Sequence, residues 1–238
     1  MPKTLIVSNS RTKGPEIFAS LQGEGLHIGR PTAFLRLAQC NLNCTWCDTR
    51  YTWDWQSFDI HVETKRIDIV EIENAIDNLG MSRLVVTGGE PLIQQASLLP
   101  LMCSLHDKGY SMEMETNGTI FPDPELLPII ECWNVSPKIS NSLIDSDIRF
   151  NEIVLREFVK LPNANFKFVV QKQDDICEVN GLAEYLQIPI ERIFLMPEGE
   201  TAANINEISG WLAPFCINEG YRFTTRLHIL LWGDERGR

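Results

Sequence analysis

Hydrophobic and polar positions follow two alternating periods along this chain. Between residues 68 and 79 apolar residues recur at helical spacing, with Asp68 placed to cap the first turn and Gly80 to stop the last, which predicts a helix. The run Arg83-Leu-Val-Val86 is short, apolar and broken at Gly88-Gly89, as a strand buried on both faces is. The same reading predicts a helix over 96–108, a strand over 111–115, a shorter helix near 124–131 and a strand over 133–136. Upstream, 32–39 reads as a strand, and downstream so do 166–170, 192–196 and 221–231. Repeated strand–helix units predict an α/β fold with a mostly parallel sheet and right-handed crossovers. No repeat, low-complexity stretch or linker divides the chain, so one domain over 1–238 is expected.

Composition narrows the classes of function. With 238 residues and 44% hydrophobic content the chain can bury a full core. No apolar run reaches the ~18 residues that span a bilayer, and residues 1–8 are too short for a secretory apolar region, so a cytoplasmic protein is expected. A net charge of -11 argues against a nucleic-acid partner, which wants a basic stripe, and favours a small-molecule substrate. Seven cysteines, three of them crowded into one loop, make a poor disulfide framework.

That loop carries the candidate chemistry. Cys40, Cys44 and Cys47 follow the 32–39 strand directly, and three thiolates can hold a [4Fe-4S] cluster while leaving one iron open to an exchangeable ligand. A structural zinc site would need a fourth ligand, for which His27 and His61 are near in sequence. The other cysteines lie scattered among apolar stretches and read as buried small residues. In parallel sheets and barrels ligands gather at the C-terminal strand ends. Here those ends read Thr87-Gly88-Gly89-Glu90-Pro91, Glu115-Thr116-Asn117-Gly118, Ser136-Pro137-Lys138 and Gln171-Lys-Gln-Asp174. Before the cysteines, Gln22, Glu24 and Arg36 supply an amide, a carboxylate and a guanidinium. The first two can match a ring N–H and 2-amino edge, and the third can clamp a carboxylate through two nitrogens.

The C-x3-C-x2-C spacing and the Gly-Gly-Glu-Pro run resemble the radical S-adenosylmethionine (SAM) enzymes. Taken with Ser-Leu-Gln-Gly-Glu-Gly, Arg36, Asp48-Thr49, Glu-Thr-Asn-Gly, Val-Ser-Pro-Lys and the segment from His228 to Gly233, the chain resembles the 7-carboxy-7-deazaguanine synthase family. The resemblance runs from about Glu16 to the C-terminus and is most specific in the first fifty residues.

What it implies is an incomplete, modified (β/α) barrel of the radical SAM type, with a substrate-binding segment at 16–36 and a cluster loop at 40–49. The implied reaction contracts the ring of 6-carboxy-5,6,7,8-tetrahydropterin with loss of ammonia, in queuosine and deazapurine biosynthesis. Its cofactors are the [4Fe-4S] cluster, SAM and Mg2+. SAM would be held by Trp46, Asp48, Gly88, Gly89, Glu90, Glu115, Ser136, Lys138, Gln171 and Asp174. Substrate would meet Leu21, Gln22, Gly23, Glu24, Arg36, Thr87 and His228, and Thr49 would bind Mg2+, a hard ion that needs few protein ligands. The resemblance also implies a homodimer and an electron donor such as flavodoxin or ferredoxin. Two other readings are a glycyl-radical enzyme activase, which would not need Gln22, Glu24 and Arg36 together, and a non-catalytic iron-sulfur or zinc protein, which would leave the strand ends unexplained. The segment 232–238 matches no motif.

Overall fold

The structure is a computed structural model and describes residues 3–238; Met1 and Pro2, the start of the stretch weighed as a leader, lie outside it. Eleven strands form one sheet: β1 Thr4–Ser10, β2 Gly14–Pro15, β3 Ile17–Leu21, β4 Pro31–Leu37, β5 Thr64–Asp68, β6 Arg83–Gly88, β7 Ser111–Thr116, β8 Cys132–Val135, β9 Ala164–Val170, β10 Ile193–Pro197 and β11 Arg222–Phe223. Their order is β11-β10-β9-β8-β7-β6-β4-β1-β2, with β3 on β4 and β5 on β1. From β4 to β11 every neighbouring pair is parallel. The α/β class and the open, incomplete barrel are therefore as the sequence implies, since no pairing among the described residues joins the two edges of the sheet.

Helices cover the outer face: α1 Ile60–Glu63, α2 Ile69–Asn78, α3 Gln95–Asp107, α4 Ser146–Arg149, α5 Glu152–Lys160, α6 Asp175–Leu186, α7 Ala202–Glu219 and α8 Leu227–Trp232. The signals in α2 act as read: the Asp68 carboxylate accepts from the Val70 N–H, Ile72 and Ile76 are fully buried, and Gly80 takes a left-handed φ of 66° that ends the helix. β9 is buried along its whole length, as a central parallel strand between helices and the barrel interior must be. Trp133 and Phe158 are among the largest fully buried side chains, with ring centroids 5.5 Å apart.

Two predicted elements are corrected. Residues 124–131 form successive turns, with Leu126 N–H donating to Asp123 O and Leu127 N–H to Pro124 O. Pro128 has no N–H to donate and its ring opposes the preceding residue's helical conformation, so this crossover stays irregular. The strand expected over 221–231 is only the two-residue β11, followed by α8. Apolar Ile229, Leu230 and Leu231 were ambiguous between strand and buried helix, and Ile229 alone of the three is buried. β1, β2, β3 and β5 were not anticipated. They form an antiparallel extension in which β1 pairs with β5 over five registered positions.

The opposite end of the barrel is closed by charge. Glu113, almost fully buried, accepts from Arg83 at 2.9 Å and from Asn134 at 3.1 Å and faces His27 Nδ1 at 2.8 Å. Cys132 stands beside this group, its thiol pushed up to about 12 by burial and then by Glu113. The Arg83 guanidinium already supplies the positive charge that the carboxylate needs, so this group is satisfied without an ion.

The parallel register brings Leu37 beside Gly88. A Cβ on Gly89 would lie 1.9 Å from Gln39 O, whereas nothing lies within 4 Å of a Cβ on Gly181 inside α6. Urea unfolding should therefore separate two formally identical changes: Gly89→Ala costs about 2–4 kcal/mol through the backbone shift it forces, and Gly181→Ala adds about 0.5–1 kcal/mol through helix propensity.

Candidate functional site

The C-terminal ends of the parallel strands open into one pocket that collects almost all of the sequence-derived site residues. Its floor is the meeting of β4 and β6. Past Leu37 the chain turns through Gln39, a non-glycine residue at φ 77°, whose N–H donates to Thr52 O at 2.7 Å. Gly89 N–H donates to Leu37 O and Glu90 N–H to Gln39 O, at 3.0 and 2.8 Å, so the Gly-Gly-Glu-Pro run and the cysteine loop are bonded backbone to backbone. Asn117 ties down the far side of the loop: its side-chain amide donates to Asn41 Oδ1 at 2.9 Å, between Cys40 and Cys44.

Cys40, Cys44 and Cys47 all line this pocket. Leu42 N–H points at Cys40 Sγ at 3.4 Å and Trp53 Nε1–H at Cys47 Sγ at 3.3 Å, donors that suit thiolate sulfur. Burial pushes the Cys40 thiol up to about 12 and raises Cys44 as well, so both stay protonated until a bound cation displaces the proton and takes the thiolate. The donor set fits a cluster with three protein ligands. His27 faces Glu113 and His61 sits in α1, neither of them among the residues lining the pocket, so the zinc reading lacks its fourth ligand.

The segment before the cysteines forms one wall. Leu21, Gln22, Gly23, Glu24 and Arg36 line the pocket together with Thr87 and His228. Gly23 is there for steric reasons: Leu227 N–H donates to its carbonyl at 2.9 Å, and a Cβ would stand 2.3 Å from His228 Nδ1. Glu24 is held by Lys167 of β9 and faces Arg226 at 3.8 Å. Burial alone would raise its pKa, but Lys167, Arg226 and His228 outweigh it and hold the carboxyl at about 2. Arg226 in turn reaches Asp48 at 3.3 Å, so one buried guanidinium bridges this wall to the cysteine loop. Arg36 meets Glu16 at 3.4 Å through Nε. Buried Gln22 Nε2 has no partner among the described residues.

Opposite lie Trp46, Ser136 and Lys138. The Trp46 indole donates to Asn141 Oδ1 at 3.1 Å, and the Lys138 ammonium sits 5.2 Å from the centre of its ring and donates to Ser136 Oγ at 2.9 Å. Asp48, Thr49, Gly88, Gly89 and Glu115 also line the pocket, with Thr49 Oγ1 3.6 Å from Cys47 Sγ and Thr87 donating to Glu115 at 2.8 Å.

Three expected SAM contacts stand elsewhere. Glu90 is fully buried behind the lining, where its carboxylate accepts from Leu92 N–H, Asn117 N–H and Thr116 Oγ1. It joins the second and third strand ends. Asp174 is exposed and Gln171 half-buried, both outside the lining; the neighbouring Asp175 instead accepts from Gln171 N–H at 2.8 Å and from Asn141 at 2.9 Å. The sequence reading passed over Lys167, Asn134, Arg226 and Arg236, which line the pocket from the barrel interior and the C-terminus. An isolated Lys in Phe-Lys-Phe or an Arg in Thr-Arg-Leu carries no motif, and the only available signal was a charge interrupting an apolar run.

Comparison with known proteins agrees with this geometry. Residues 21–144 match the family model described as a 4Fe-4S single cluster domain. The 7-carboxy-7-deazaguanine synthase of Pyrobaculum aerophilum is 42% identical over 96% of this chain and 98% of its own length, and that of Halobacterium salinarum is 32% identical over 92% and 90%. The crystal structure of QueE from Escherichia coli superposes with a TM-score of 0.65 at 26% identity, covering 93% of each chain. Streptococcus suis SuiB bound to S-adenosylmethionine shares the fold at a TM-score of 0.53 and 13% identity, covering 78% of this chain and 48% of that one. With its cysteine loop, its glycine-rich strand end and its Gln-Gly-Glu wall in one pocket, the chain belongs to the 7-carboxy-7-deazaguanine synthase family.

Proposed function

We propose that this protein converts 6-carboxy-5,6,7,8-tetrahydropterin to 7-carboxy-7-deazaguanine and ammonia. The observation that carries this reading is the convergence of the three cluster cysteines, the Gly88-Gly89 strand end and the Gln22, Glu24 and Arg36 wall on one pocket. Neither an activase nor an electron-transfer protein calls for that wall. Cys40, Cys44 and Cys47 would hold the [4Fe-4S] cluster. When bound, the cluster and SAM supply the electron and the carbon-centred radical that removes a hydrogen from substrate C6.

The protein's own residues orient and shield. Gly88 and Gly89, on the pocket lining, would present backbone carbonyls to the SAM ammonium, Lys138 would offer charge to its carboxylate, and Ser136 would meet the ribose. Trp46, Asp48 and Glu115 complete the SAM side in this reading. Glu24, ionised at every physiological pH, accepts from the ring N–H and 2-amino edge beside Gln22, and Arg36 holds the substrate carboxylate. Leu21, Gly23, Thr87 and His228 shape the rest of that subsite. Thr49 presents a hydroxyl on the pocket wall, the hard oxygen that Mg2+ would take along with the substrate carboxylate. A homodimer, a donor such as flavodoxin or ferredoxin, and a cytoplasmic setting complete the reading; among the described residues no helix is long and apolar enough to cross a membrane.

Anaerobic assay of the reconstituted protein with SAM, reductant, Mg2+ and 6-carboxytetrahydropterin should yield 7-carboxy-7-deazaguanine by mass, and Cys44→Ala should abolish it. SAM cleavage with no such product would sink the reading in favour of the activase.

His228 carries a pH signature. Burial, opposed by Glu24 and Asp48, takes its pKa below the ordinary 6.5. The unfolded chain therefore binds this proton first, so the His228 contribution is fully present above pH 6.5 and is lost as pH falls through the folded value. His228→Asn should flatten Tm against pH in the window below 6.5, measured by thermal unfolding; a wild-type slope that survives the substitution would exclude His228 as its source.

A further inference from the structure

The last six residues, 233–238, line the pocket although no sequence motif marks them. They are anchored on the antiparallel extension. Arg236 Nη1 donates to Glu63 Oε2 at 2.7 Å, its Nη2 donates to Asn9 O at 3.1 Å, and its guanidinium carbon stacks 3.4 Å from the centre of the Tyr51 ring. From the β1–β2 turn, Lys13 Nζ donates to Glu235 Oε1 and to Arg236 O, both at 2.8 Å. Glu63 and Glu16 are almost fully buried, so each needs a cation in the folded state.

Glu16 is shared. Its Oε2 faces Arg36 Nε at 3.4 Å, while its Oε1 accepts from Arg236 Nε and from Tyr51 Oη, each at 3.5 Å. The closest approach of Arg36 to Glu16 is through Nε, and among the described residues its side chain makes no hydrogen bond, so the donors of its Nη nitrogens remain available on the pocket lining. If Arg236 left, the whole charge of Glu16 would fall on Arg36 and draw the guanidinium towards the wall. With Arg236 seated, Glu16 is shared between Arg36 and Arg236, and Glu63 between Arg236 and the exposed Arg11 at 3.9 Å.

We propose that residues 233–238 form a strap latched by Arg236, and that Glu16 makes the seating of this strap set the position of Arg36 and thereby the affinity for a substrate carboxylate. Glu16 and Arg236 are then positioning residues, acting through Arg36. This rests on the reaction read above, and the test separates the two.

Hydrogen exchange at the amides of 233–238 is measured together with steady-state kinetics on 6-carboxytetrahydropterin, for the wild type, Arg236→Gln, Arg236→Lys, Glu16→Gln and the Glu16→Gln/Arg236→Gln pair. Arg236→Gln should speed exchange and raise KM about tenfold, the cost of one charge-assisted contact, with kcat held within about twofold. Arg236→Lys should restore part of both, and the double variant should add little to Glu16→Gln. Arg236→Lys keeps a cation beside Glu16 and Glu63, so it reads the latch even where Arg236→Gln unfolds the chain. Unchanged exchange in Arg236→Gln overturns the latch. Faster exchange with unchanged KM overturns the link to Arg36. A wild type that makes no product refutes the reaction reading, while exchange still decides the latch.

Discussion

The structure depends on one close approach: the ends of β4 and β6 meet backbone to backbone, which only glycine at 88 and 89 permits. A Cβ at 88 would stand 1.9 Å from Leu37 O at the end of β4, and one at 89 the same distance from Gln39 O just before the cysteine loop. Because the strands touch there, Gly89 and Glu90 N–H groups bond to Leu37 and Gln39, and the loop that carries three thiols leaves the sheet in a fixed direction. Glu90 extends the constraint sideways. Its buried carboxylate takes N–H and O–H donors from the β6 and β7 ends, and Asn117 returns the contact to Asn41 in the loop. Glu90 thereby joins the ends of β6 and β7 to the loop that follows β4.

The second organising principle is the pairing of buried charge. Two buried carboxylates of the pocket wall have named cations, Glu24 with Lys167 and Arg226 and Glu16 with Arg36 and Arg236, and Glu113 at the opposite end of the barrel has Arg83, while Glu90 is held by N–H and O–H donors alone. A buried pair is weak testimony to stability, because desolvation offsets much of the attraction, but breaking one leaves an uncompensated charge and is costly. What the pairs contribute is direction. Glu24 stays ionised and aimed, and Arg36 is held on the pocket lining by its ion pair with Glu16. The antiparallel extension, the α1 turn and the C-terminal strap then read as parts of the site, since they supply Glu16, Glu63 and Arg236.

Much of this was legible from sequence alone. Period was enough for α2, α3 and the parallel strands from β4 to β10, and capping marked the ends of α2, because each buries a face whose spacing is local. The cysteine spacing, Gly-Gly-Glu-Pro and Gln-Gly-Glu-Gly are local too, and they determined the family and its chemistry. Pro128 within 124–131 and the 221–231 run misled because a short apolar stretch has the same pattern in a turn, a strand and a buried helix.

Only the tertiary structure decided which charges meet. Lys167 and Glu24 stand 143 residues apart and Arg236 and Glu16 are 220 apart, separations over which no periodicity carries information. Burial and partnership are properties of the folded sheet, so whether Asp174 or Asp175 faces inward, or Glu90 meets a ligand or a backbone N–H, follows from register and loop path. The sequence by itself determined which chemistry the chain can perform, because donor type and local spacing are written in consecutive residues; the fold decided which residues orient it, because orientation requires long-range contact.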